Sequence, residues 1–268
     1  MEKKFRIMEK KVSKKEKIKS IEKALDLLEL LSNKEKEVSI TEISKELHMG
    51  ISTVYRILTT LKCRNYIVQN RQTSKYIFGA KLFTLGYKGQ NTKKIIKVAM
   101  PFLQKLSKYT NETINFAILE DREIICLYKI ESKEILKAGI ELGTKIPAHS
   151  TSLGKVLLAF LTEKEFMMLY SNNNEKLPTF TPNTTSSVEE LRRCLKKIKK
   201  QGYAIDKEEF KIGVNCLGVP IINNEGKAIA SISISGPKSR FNLSTIKKVK
   251  NTLISFSQDI SKQLLYNM

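Results

Sequence analysis

Residues 38–62 read VSITEISKELHMGISTVYRILTTLK, and this stretch decides the N-terminal fold. Ile40, Ile43 and Leu47 fall at i, i+3 and i+7, the apolar stripe of a helix. Ser39, with Glu42 three residues on, has the form of a capping box, in which each side chain bonds the other residue's backbone N–H. His48-Met49-Gly50 breaks the pattern. Ile51 or Ser52 then opens a second helix whose buried stripe is Val54, Ile57, Leu58 and Leu61. Its other face carries Ser52, Thr53, Tyr55, Arg56 and Thr59. A short polar face with one Arg at the start of a second helix is what a helix-turn-helix protein presents to the DNA major groove. An ordinary helical hairpin is the plainer alternative on this pattern alone.

Charge favours the first reading. The chain holds 48 Lys and Arg against 27 Asp and Glu, a formal net charge of +21. Excess Lys decides little by itself, but its placement is informative. From Leu47 to Asn111 there is no Asp or Glu, while Arg56, Lys62, Arg64, Arg71, Lys75 and Lys81 are among the cations present. A one-signed field over the reading helix suits a polyanion.

The residues after the second helix fit a winged version of the motif. Asn65–Gln69 and Lys75–Phe78 read as two short strands around the polar turn 70–74, ended by Gly79. Arg71 and Lys75 at this hairpin are placed for phosphates or the minor groove. Upstream, Ser20 is expected to cap an amphipathic helix bearing Ile21, Ala24, Leu25, Leu28 and Leu31. Residues 1–19 mix charges with little to bury and read as a flexible basic arm.

At 268 residues the chain has room for two domains. No apolar run approaches the ~20 residues of a membrane span, and the N-terminus lacks an apolar signal core. Cys63, Cys126, Cys194 and Cys216 are widely spaced, and His48 and His149 lie far apart. That pattern offers neither a disulfide framework nor a metal site. The expectation is a cytoplasmic chain without metal or cofactor.

A Gly- and Asn-containing boundary falls near residues 86–92. The expected domains are therefore 20–85 for DNA binding, a linker helix region over 86–110, and a second domain over 111–268. In the linker, Ile96, Ala99, Met100, Leu103 and Leu106 follow a helical period, with Pro101 either kinking the helix or opening a new one. Beyond it, strands are expected at 113–119, 123–131, 135–140, 203–207, 215–223 and 227–235. Helices are expected at 153–161, 163–170, 188–201 and 243–265. Strands in two groups with helices between and after them argue for an α+β fold with a mostly antiparallel sheet.

Three segments of this second domain draw notice. His149–Lys155 opens a helix, whose free N–H groups suit a carboxylate or phosphate. It is not a P-loop, because His149 and Val156 stand where Gly and Ser/Thr are needed. The second segment runs from Asp206 to Cys216. The third, SISISGP from Ser231, puts Ser231, Ser233 and Ser235 on one strand face, for which solvent exposure is the plainer explanation.

These residues together resemble a known family. SIEKALDLLELL, STVYRILTTL, GTKIPAHSTSLGKVLLAFL, GYAIDKEEFKIGVNCLGVP and ASISISGPKSR, in order from Ser20 to about Leu265, are similar to bacterial transcriptional regulators of the IclR (isocitrate-lyase-regulator) type. The resemblance implies a winged helix-turn-helix, a linker helix and a GAF-like effector domain. It also implies a small carboxylate effector held by Ser152, Leu153, Asp206, Cys216, Ser233 and Ser235. Relatives often carry Gly-Ala where this chain has Ser152-Leu153. Gly is frequent where His48 stands, and Pro-Lys where Gly50-Ile51 stand.

The expected function is a ligand-responsive transcriptional regulator, a repressor more often than an activator in this family. Its partners would be an operator duplex, a small carboxylate, and further copies of itself as a dimer or a dimer of dimers. Keto acids, aromatic acids and sugar acids all remain open as effectors. Two other classes stand beside this one. One is a thiol enzyme using Cys216 near Asp206, with His149 as its sole candidate base. The other is an architectural DNA-binding protein with an inert second domain.

Overall fold

The computed structural model describes residues 18–34, 36–87, 90–171 and 175–266. The chain divides into two compact units, residues 1–93 and 94–268. Most of the expected arm, and residues 172–174, lie outside the described residues.

The first unit begins with α1 (Lys19–Ser32), α2 (Ile40–Glu46) and α3 (Ile51–Cys63). The hairpin β1 (Ile67–Gln69) and β2 (Tyr76–Phe78) follows, then α4 (Ala80–Tyr87). Ser39 and Glu42 form the expected capping box. Ser20 does not cap α1: the helix starts two residues earlier than that cap would place it, and Ile18 in the cap position makes no side-chain bond. The core joins Leu27, Ile43, Val54, Leu58, Ile67 and Tyr76, so all three helices and the wing share one interior.

The turn between α2 and α3 has a specific geometry. Met49 N–H donates to Ser44 O at 3.0 Å and His48 N–H to Lys45 O at 3.4 Å. His48 itself takes φ +50°, the left-handed region. This is the Schellman arrangement, which Gly favours at that position.

α5 (Gln90–Thr110) is one helix with Pro101 inside it, and the division between the units falls within it. The second unit holds a six-stranded sheet of β3 (Thr113–Glu120), β4 (Glu123–Ile130), β5 (Lys145–Pro147), β6 (Ala204–Lys207), β7 (Val214–Ile222) and β8 (Ala228–Pro237). Its spatial order is β5-β4-β3-β8-β7-β6, and every pairing is antiparallel. The helices are α6 (Ser152–Ala159), α7 (Glu163–Leu169), α8 (Val188–Gln201) and α9 (Leu243–Tyr266).

Both faces of the sheet are covered. Ile114, Phe116, Leu217, Val219, Ile232 and Ile234 pack with Leu103 and Leu106 of α5 and Ile246, Val249 and Leu253 of α9. On the other face Ala117, Ile124 and Ala204 join Val156 and Leu157 of α6 and Leu191, Leu195 and Ile198 of α8. The expected strand at 135–140 does not form. Ile135 is 102% exposed and Leu136 63%, and among the described residues no ladder includes this segment. The short β5 takes the edge beside β4 instead.

Candidate functional site

In the first unit the turn after α2 presents the start of α3. Ser52, Tyr55 and Arg56 are exposed there and Thr53 is half-buried. The opposite stripe is held by Val54 and Leu58, which are 0% and 1% exposed. α3 has Gly50 at its cap with no side-chain bond. An added Cβ at Gly50 would meet nothing within 4 Å, so the helix start is open to a partner.

The wing is held by an acid that the sequence pattern did not flag. Glu37 accepts from Asn70 Nδ2 at 2.6 Å and from Thr73 Oγ1 at 2.7 Å. These two bonds hold its carboxyl below the ordinary value. Arg71 sits exposed in the turn, whereas Lys75 is half-buried, close enough to Glu37 and Glu42 to lower both carboxyls by its charge.

In the second unit the six expected residues line one cavity of about 400 Å³. Its floor is the sheet. Asp206 on β6 pairs with Cys216 on β7, Cys216 with Ser235 on β8, and Ser235 with Thr113 on β3. In the next row Gly218 pairs with Ser233, and Ser233 with Asn115. The serine face is thus interior: Ser231, Ser233 and Ser235 are 0%, 1% and 4% exposed. Apolar side chains including Ile124, Leu136, Ile140 and Phe210 form other walls.

The start of α6 lies close against this floor. A Cβ on Gly218 would stand 2.8 Å from the Ser152 carbonyl, so only Gly lets the helix approach β7 so closely. Thr151 caps the helix by accepting from Gly154 N–H at 3.0 Å. Among the described residues no acceptor bonds the N–H of Ser152 or Leu153. Both residues are buried and face the cavity.

Electrostatics sharpen the site. Asp206 is 3% exposed, and its carboxyl is pushed up to about 7, chiefly by burial and against the pull of Glu209 N–H and the Lys155 charge. Burial and the Asp206 charge push the Cys216 thiol well above its ordinary value, which suits a packed thiol and not a nucleophile. His149 is not among the lining residues, and its Nε2 lies 2.9 Å from Pro178 O.

Sequence reasoning missed two groups here. Asn115 lies in a strand that reads as apolar, and only the register with Ser233 brings it to the cavity. Lys155 ion-pairs with Glu209 while only 2% exposed. A lone Lys inside the apolar run SLGKVLLAFL was the available signal. Among the described residues no cluster of His, Cys, Asp and Glu is arranged to hold a metal, and no helix is long and apolar enough to cross a membrane.

Comparison with known proteins agrees with both halves. Residues 20–71 match the IclR helix-turn-helix domain, and residues 90–262 match the C-terminal domain of the bacterial transcriptional regulator IclR. The chain is 36% identical over 249 residues to the HTH-type transcriptional regulator XynR of Escherichia coli, covering 93% of this chain and 98% of that one. It is 30% identical over 245 residues to the E. coli HTH-type transcriptional repressor AllR, covering 91% and 90%. The crystal structure of the Thermotoga maritima IclR superimposes with a TM-score of 0.77 at 30% identity, covering 92% of this chain and 98% of that one. These are DNA-binding regulators, so the thiol-enzyme alternative falls. The chain belongs to the IclR family: it is a DNA-binding transcriptional regulator with a helix-turn-helix domain and the C-terminal domain of that family.

Proposed function

We propose that this regulator is a repressor of a catabolic operon and that a small carboxylate in the cavity of the second unit resets its operator affinity. One observation carries the reading. Six residues expected from the family resemblance line a single cavity, where two N–H groups at a helix start have no acceptor among the described residues. A carboxylate there gains from those donors and from the helix dipole. Ser233, Ser235 and the Cys216 region bind its remaining oxygens, and Asp206 bonds a hydroxyl or hydrated carbonyl of the ligand. The relative named as a repressor supports repression over activation.

At the DNA, Ser52, Thr53, Tyr55 and Arg56 enter the major groove. Arg71 at the wing tip, backed by Lys75, contacts phosphate or the minor groove. One winged motif reads too few base pairs for genomic specificity, so a homodimer or a dimer of dimers doubles it. Ile21 and Leu25 on α1 and Ile18 at its cap, 54%, 52% and 61% exposed, support α1 as a self-association surface. The compartment of action is the cytoplasm, where the operator is.

The test is to screen small carboxylates by thermal shift and select an operator from random duplexes. Operator affinity is then measured with and without the best acid. Coupling of ~1–3 kcal/mol is expected. Ser235→Ala and Asp206→Ala should bind operator like the wild type yet lose the response. If both variants keep the full response, the effector site lies elsewhere.

A further inference from the structure

Asn115 is 1% exposed, and its amide divides the cavity floor into donors and an acceptor. Nδ2 donates to Ser235 Oγ at 3.0 Å and to Ser233 Oγ at 3.3 Å. With Nδ2 on its oxygen, Ser233 keeps its own hydrogen to donate elsewhere. Among the described residues Oδ1 has no partner, and neither does the hydroxyl of Ser152, which is also 1% exposed. The chain opposite Oδ1 is Gly139, where an added Cβ would stand 3.6 Å away. No side chain of that residue closes the approach.

An ionised carboxylate only accepts hydrogen bonds. It satisfies the helix-start N–H groups and Ser233, and can do nothing for Oδ1. A ligand that also carries a hydroxyl satisfies both kinds of group. Resting on the carboxylate reading above, we infer that the cavity selects a hydroxylated carboxylate over a plain carboxylate of equal length. Asn115 is a second group, beside Asp206, that makes this distinction. A site built to bond a hydroxyl rejects the analogue lacking it, because its own buried polar group is then left unpaired.

The experiment titrates the full-length protein with two matched pairs, glycerate against propionate and gluconate against hexanoate, by calorimetry. At least one hydroxy acid should bind tenfold or more tighter than its plain partner. Asn115→Leu should reduce that preference at least tenfold, read as the ratio of the two affinities within each protein. Gly139→Ala, whose φ lies outside the left-handed region, covers Oδ1 with a methyl and needs only Thr113 Cγ2, 2.9 Å from the new Cβ, to give way. It should shift the preference in the same direction, and it keeps the test open if Asn115→Leu fails to fold. Equal binding of both members of each pair would mean that the open amide group is the donor, and would overturn the inference alone. A preference unchanged in both variants would remove Asn115 from it. Binding of none of the four acids would instead overturn the carboxylate reading, and this inference with it.

Discussion

Lys155 and Glu209 form an ion pair in the interior of the second unit, with side chains 2% and 11% exposed. The pair joins α6, whose first turn faces the cavity, to the segment after β6. Glu209 N–H donates to Asp206 Oδ1 at 2.7 Å, so the pair also fixes the position of Asp206. Removing one member strands a buried charge. Lys155→Met should therefore destabilise the protein by about 3–5 kcal/mol, and adding Glu209→Leu should restore most of the loss. Chemical denaturation of the two variants checks this. A double variant no more stable than the single would show that the pair does not act as a unit.

Asp206 gives stability a pH dependence of known sign. Folded, its carboxyl titrates at about 7 against an ordinary 3.8, mainly through burial. The charged groups facing it are Lys155 and Glu209, with the Cys216 thiol beside it on β7. Between those two values the folded chain holds a proton that the unfolded chain has released. The contribution of this group is thus full at low pH and is lost as pH rises through about 7. Asp206→Asn carries no such loss and can still accept from Glu209 N–H. The variant should be more stable than the wild type at pH ~8, by on the order of a few kcal/mol, with the gap closing toward pH ~4. Denaturation midpoints across that range read the difference, and a wild type that equals the variant at the alkaline end would contradict it.

Local signals were legible where they are settled by neighbours in sequence. The capping box at Ser39 and Glu42, the break at His48–Gly50 and the helix Val188–Gln201 all form as the pattern implies. Long-range questions were not. The alternation Ser231–Ser235 shows two strand faces but not which one is covered; that depends on α6 arriving over Gly218. Asn115 is unremarkable in its own strand and becomes a site residue only through its register with Ser233. The apolar residues at 135–140 satisfy a strand pattern, yet residues 136–140 line the cavity instead of extending the sheet.

His48 tests the turn itself. It holds the left-handed backbone, φ +50°, at the end of α2, where a side chain is penalised and Gly is not. His48→Gly should stabilise the helix-turn-helix unit by ~1 kcal/mol or less, since Gly loses more chain entropy on folding. Scanning calorimetry should show that unit's transition moving up. A downward shift would mean that the imidazole makes a compensating contact.

Arg56 and Arg71 separate reading from anchoring. Arg56 is exposed on α3 beside Tyr55, which is 59% exposed. It is the one cation on the polar face of that helix's first two turns. Arg71 sits in the wing turn that Glu37 holds through Asn70 and Thr73. A cation that reaches a base loses specific affinity when removed, whereas one that reaches phosphate lowers affinity for every sequence. Arg56→Ala should weaken operator binding by about 1–3 kcal/mol and leave random duplex less affected. Arg71→Ala should weaken both alike and reduce the salt slope by about one. Glu37→Ala, which frees the turn without changing a cation, should weaken both duplexes less than Arg71→Ala does and leave the salt slope nearly unchanged. Titrations of each variant on operator and random duplex at several salt concentrations distinguish the three. If Arg56→Ala keeps full operator affinity, that residue leaves the reading surface, and the polar face of α3 must read DNA through Ser52, Thr53 and Tyr55.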